Sequence, residues 1–244
     1  IDLREDSNSA GVNVSERLVG IPGLLARDRQ NYAQDTQLSI RGFGARSTFG
    51  VRGVRLFADG IPASMPDGQG QLSHFNLAGG DRIEVMRGPF SALYGNSSGG
   101  VLQLWSADGE DPDEWRVAAS AGSNASHALS VRLLGKQGAL GYNLAASTFQ
   151  TDGYRDHSAA RRDSANAKLT FDLGDERRLD FVFNYLDLPD ADDPLGLTRD
   201  QVRDDPRQAS PVAVQFDTRK SVRQIQAGVT WQQPLGEAQT LRVM

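Results

Sequence analysis

Three stretches in the second half of this chain alternate apolar and polar residues with a period of two. Ala167, Leu169, Phe171 and Leu173 stand against Lys168, Thr170 and Asp172. Leu179, Phe181, Phe183 and Tyr185 stand against Asp180, Val182 and Asn184. Ile225, Ala227, Val229 and Trp231 stand against Gln224, Gln226, Gly228 and Thr230. Side chains of a strand point to opposite faces in turn, so this period predicts strands with one apolar and one polar wall, and it excludes amphipathic helices. Less regular alternation runs through Trp115–Ala121, His127–Leu133 and Leu140–Ala146, and a strand starting at Leu241 is cut short. Together these make seven candidate strands after a division near Ala107.

The connections between them carry a second constraint. Those at 136–139, 174–177 and 234–239 are short, whereas those at 150–162 and 189–220 are long. The connection at 122–126 is short but falls on the same side as the long ones. Short turns at one end and long loops at the other characterise barrels of bacterial outer membranes. Trp115, Tyr142 and Trp231 then fall near the short-turn ends with apolar-face parity, where an aromatic girdle belongs. An up-and-down soluble sheet with arbitrary loop lengths is the competing reading. No apolar run approaches the roughly 20 residues of a spanning helix, which does not bear on a barrel. At 244 residues the chain makes one large or two ordinary domains. The net charge of −5 lacks the basic footprint of a nucleic-acid binder, and the absence of cysteine rules out disulfides and thiolate metal sites. No secretory leader is visible at Ile1.

The first half reads differently. A short helix is expected over Ser15–Val19, a turn and strand over 21–29, and strands in 37–44, 53–60 and 81–88. The run DRIEVMRGPFSALYGNSSGGVL at 81–102 joins a strand, Arg87-Gly88-Pro89, a helical turn over Ser91–Tyr94, glycines at 95, 99 and 100, and a second strand from Val101. Those glycines allow tight reversals that a side chain would block. With SIRGFG at 39–44 and LFADGIP at 56–62, this run resembles the plug domain of TonB-dependent outer-membrane receptors over about residues 10–105.

The resemblance implies an α+β plug domain at 1–107, then antiparallel transmembrane β-barrel strands at 108–244, part of a 22-strand barrel. It implies an internal piece of a longer receptor, without the N-terminal energy-coupling box or the last strand. It further implies active transport across the bacterial outer membrane, surrounded by lipid and driven by the TonB complex. GVRGVRLFADGIPASMPDGQGQ and DDPLGLTRDQVRDDPRQ resemble a branch linked to pyrroloquinoline quinone uptake and often described as iron-complex receptors. Ferric siderophores, ferric citrate and pyrroloquinoline quinone are all anionic, so residue chemistry does not separate them. A passive porin-like channel and a soluble all-β binding module are the runners-up.

By resemblance, Arg41 and Arg87 match two arginines that lock the plug to barrel glutamates, here expected on later strands. The segments 45–50 and 62–74 should face outward, with Arg46, Gln69, Gln71 and His74 as candidate contacts for an anionic ligand. Glu84 is expected to pair within the plug, and His127 to sit on the apolar face near a strand end. The acidic 190–205 region has no calcium-loop spacing, and arginines interleave it, so a solvated, flexible extracellular loop is expected rather than a metal site. Ser91 lacks the G-x-S-x-G frame, and the glycines at 95–100 lead into a strand rather than a phosphate-cradling helix. No catalytic constellation and no cofactor are expected; the chain does not read as an enzyme.

Overall fold

In the computed structural model, residues 1–3, 11–47, 50–88, 90–95, 97–110, 112–236 and 238–244 are described. Thr48 and Phe49 of the first outward segment, and Pro89 and Asn96 of the 81–102 run, lie outside the described residues.

The leading part contains α1 (Ser15–Leu18), β1 (Leu24–Arg27), β2 (Gln37–Ile40), β3 (Val54–Ala58), β4 (Ile61–Pro62), β5 (Gly80–Arg87), α2 (Ser91–Tyr94) and β6 (Gly100–Ser106). β1 and β2 form an antiparallel pair, and the other four strands make a mixed sheet in the order β4-β3-β6-β5, with β3 and β6 parallel. β6 lies between two partners and is apolar on both faces, so Val101, Leu102 and Leu104 are all buried. Leu18, Leu38, Ile40, Leu56, Phe75 and Ile83 complete one core around it. Gly100 makes the β5–β6 join possible. Its φ is +139°, and a Cβ there would meet the Met86 carbonyl oxygen at 2.2 Å.

The second part is a seven-stranded antiparallel meander: β7 (Glu114–Ala121), β8 (His127–Gln137), β9 (Leu140–Thr151), β10 (Ala160–Asp172), β11 (Arg178–Asp192), β12 (Arg219–Pro234) and β13 (Thr240–Val243). Every strand pairs with its neighbour in sequence. The alternation anticipated from the sequence is present, and its sense is the reverse of a soluble sheet. Phe183 is 42% and Ile225 65% exposed on the outer face, whereas Asn143 is 0%, Asn166 3% and Lys168 7% exposed on the inner face. The inner polar face is covered by the leading part, to which Asn143, Asn166 and Lys168 all donate hydrogen bonds. Trp115 and Trp231 stand exposed on the outer face at the short-turn ends. His127 is exposed at the start of β8 and its Nδ1 lies 3.0 Å from the Ala125 carbonyl oxygen.

The long connection after β11 departs from the flexible loop expected of it. It contains α3 (Arg199–Asp204) and α4 (Pro211–Phe216). Thr198 and Gln201 form a reciprocal capping box at the start of α3. Arg155, from the neighbouring long connection, donates to the carbonyls of Leu195 (2.6 Å), Pro194 (3.2 Å) and Gln208 (2.8 Å). One guanidinium thus satisfies three main-chain acceptors that flank the two helices. Thr198→Ala should loosen α3 by about 1 kcal/mol, read as roughly fivefold faster amide exchange at Val202 and Arg203 with the wall strands unaffected.

Candidate functional site at the plug and wall

At the short-turn end, inward side chains of β9 and β10 take hold of the leading part through its backbone. Asn143 Nδ2 donates to the carbonyls of Gly79 (2.8 Å) and Ala107 (3.0 Å). Asn166 Nδ2 donates to Ser106 Oγ (3.2 Å) and Asn184 Oδ1 (2.7 Å). Lys168 Nζ donates to the Ser106 carbonyl (3.1 Å) and pairs with Asp108 (2.7 Å) and Asp59 (3.6 Å). The contact is close because residue 79 is glycine: a Cβ there would lie 2.4 Å from Asn166 Oδ1. Burial alone would raise the Asp108 carboxyl, but the Arg178 hydrogen bond and the Lys168 charge outweigh it and hold that carboxyl below its ordinary range. A charged cavity of about 370 Å³ opens beside these groups, with Arg82, Lys168, Arg178 and Asp180 on its walls.

At the long-loop end the contacts are again polar. Lys220 pairs with Asp35, Asn31 Nδ2 donates to Asp193 Oδ1 (2.7 Å), and Gln34 donates to the same carboxylate. A cavity of about 320 Å³ lies between these contacts and the 69–71 segment, lined by Gln34, Asp35, Gln69, Gln71, Arg219 and Lys220 among others. Outside it, His157, Asp192 and Asp217 offer ligand atoms within 4.8 Å of one another. Arg219 already pairs with Asp190 (2.7 Å), Asp192 (3.6 Å) and Asp217, supplying the positive charge that a cation would bring.

The expected ligand contacts divide. Gln69 and Gln71 line the long-loop cavity, and Gln69 Oε1 also accepts from Arg52 (2.9 Å). Arg46 is exposed on the plug surface. His74 is not outward-facing: it is 4% exposed, set edge-on to Phe75 at 4.9 Å between ring centroids, within the buried run Leu72, His74, Phe75, Asn76. The outward segment ends before it because Leu72 and Phe75 turn into the core and carry the intervening histidine inward.

Arg41 and Arg87 are exposed and converge on one turn of the plug. The Arg41 amide donates to the Gly23 carbonyl (2.9 Å), and the Arg87 guanidinium donates to the Pro22 carbonyl. Glu84 pairs with Arg82 at 2.9 Å, within the plug as expected. The wall residues that grip the plug here, Asn143, Asn166 and Lys168, were not singled out as plug contacts from the sequence. The available signal was parity, since Asn143, Asn166, Lys168 and Asn184 all occupy inward positions of strands.

A mixed plug held by polar side chains against the lumen of an apolar-surfaced meander is the architecture of a plugged outer-membrane barrel. Residues 1–101 match the family model described as TonB-dependent Receptor Plug Domain. The vitamin B12 transporter BtuB of Photobacterium profundum is 28% identical over 196 residues, covering 75% of this chain and 31% of that protein. The siderophore receptor PirA from Acinetobacter baumannii superposes with a TM-score of 0.66 at 17% identity, over 95% of this chain and 37% of that one. The ferric enterobactin receptor mutant R480A from Pseudomonas aeruginosa gives 0.61 at 17% identity, over 95% and 38%. The chain therefore spans roughly a third of the length of the proteins it matches. Residues 1–101 thus match the plug domain of TonB-dependent receptors, and the plug with the antiparallel strands that follow it shares the fold of such receptors, which are outer-membrane proteins.

Proposed function

We propose that this chain is the plug and the first wall strands of an active transporter that imports a scarce anionic nutrient under the control of TonB. The observation that carries the reading is a folded plug held to the lumen face by side-chain bonds to its own backbone. A passive porin has no use for such a stopper. On this reading residues 1–107 are the moving part and 108–244 the fixed wall. Ligand enters from the long-loop end and meets Arg46, Gln69 and Gln71, whose donors suit carboxylate or catecholate oxygens. On this reading Arg41 and Arg87, both exposed, pair with carboxylates on later wall strands. On this reading the chain works as a carrier and not as an enzyme.

A ferric siderophore, ferric citrate or pyrroloquinoline quinone fits this charge. The B12 transporter relative widens the test to cobalamin. The complete receptor, expressed in a strain lacking it, should restore uptake of one of these four with TonB and not without it. Changing Gln69 and Gln71 together to alanine should lower uptake at limiting ligand by about tenfold, equivalent to roughly 1.4 kcal/mol of lost binding. Equal uptake with and without TonB would overturn the active-transport reading in favour of a channel.

A further inference from the structure

Arg162, near the long-loop end of β10, makes a contact unlike the others across this interface. Its guanidinium donates to three carbonyls on two separate plug segments: Val12, Ser73 (2.6 Å) and Phe75 (3.3 Å). Its Nε is shielded from solvent and has no hydrogen-bond partner among the described residues. All three acceptors are neutral main-chain groups, so these bonds follow the path of the plug backbone, while the Glu16 and Tyr32 side chains add electrostatic attraction to the same guanidinium. A planar guanidinium can span acceptors this far apart, and an ammonium cannot. Charge-assisted bonds of this kind are also stronger than neutral ones.

The two acceptors on the turn bracket His74, which is buried edge-on to Phe75. The wall thus holds this turn through its main chain. Val12 precedes α1, and the turn at 73–75 follows directly on Gln71 of the long-loop cavity. One wall residue thus binds together the segment leading into the plug and the segment leading away from the candidate ligand cavity.

We propose that Arg162 is a positioning residue, a latch by which β10 holds the plug at residues 12 and 73–75, and that the plug leaves its seat only when these bonds part. Its place in transport rests on the function proposed above; the latch itself does not. A ligand that shifts Gln69 or Gln71 strains the adjoining turn, and a pull on the segment before α1 loads the Val12 bond. Both act on the same guanidinium.

The test uses the complete receptor in lipid, with Arg162→Gln and Arg162→Lys. Amide exchange is followed at 12–14 and 72–75, with the β9–β10 and β10–β11 ladders as the internal control of folding. Arg162→Gln should accelerate exchange in both plug segments by at least about tenfold, leaving the ladders unchanged. Arg162→Lys keeps the charge but loses the span. It should give a smaller acceleration, and it decides the matter if the glutamine variant does not assemble. Passive entry of a small polar solute without TonB should rise in the same order. Plug exchange and passive entry at wild-type level in a folded Arg162→Lys receptor, and in Arg162→Gln where it assembles, would overturn the latch. Faster plug exchange in a receptor that takes up none of the four nutrients supports the latch and counts only against the transport reading.

Discussion

Phe183→Arg should destabilise the folded receptor in lipid by about 2–4 kcal/mol. Phe183 lies on the outer face near the middle of β11, opposite Ala167 on β10 and Ala227 on β12, and is 42% exposed. In water, arginine at so open a position would cost little, because the guanidinium would remain hydrated. Only a surrounding hydrocarbon makes the change costly, so the size of the effect reports the solvent around the wall. Gln224→Arg, on the inner face of β12 opposite Leu186, should cost under about 1 kcal/mol, because the lumen is polar. Refolding into vesicles under urea, compared between the two variants, measures the difference. Equal and small effects at both positions would remove lipid from the outer face and leave the soluble-module reading in its place.

Acidification should destabilise the folded plug by about 3 kcal/mol between roughly pH 6.5 and pH 4. Burial, reinforced by the Arg162 charge, lowers the His74 pKa from the ordinary 6.5 to about 4. In that interval the unfolded chain binds a proton that the folded plug refuses, so stability falls as pH falls, and it levels off below about pH 4. Above about pH 6.5 His74 is neutral in both states and contributes no slope. Denaturant unfolding of the plug at a series of pH values reads this directly. His74→Leu should flatten the curve across the interval. A slope that persists unchanged in that variant would assign the acid sensitivity to other groups.

Most of the wall was legible because a lipid-facing strand has no freedom in its outer residues. Leu169, Phe181 and Val229 had to be apolar, and their partners one step along did not. The lengths of the connections supplied direction, and the glycines of 81–102 marked where two plug strands meet. What escaped was set by packing across long sequence separations. His74 follows a run of polar and glycine residues and reads as their continuation. Its burial depends on Leu72 and Phe75 finding the core. Arg162 occupies an inward strand position that is polar in any such wall, and nothing local indicates which carbonyls will come within its reach. The helices after β11 were hidden for a related reason. Proline and arginine interleave there, and it takes Arg155 from another connection to hold that backbone in place.

The meander has a consequence for how the molecule is built. Because each wall strand lies beside the one made just before it, every rung is added with the previous strand as template, through short turns at one end and longer connections at the other, and the entropic cost of closure grows only slowly with their length. The plug follows the opposite rule. Its central β6 must find β3 in parallel across more than forty intervening residues, a slower search that rewards no partial pairing. Construction of the cylinder can thus advance stepwise around a cargo that condenses all at once. The bonds from Asn143 and Lys168 to Gly79, Ser106 and Ala107 are where the two schedules must agree.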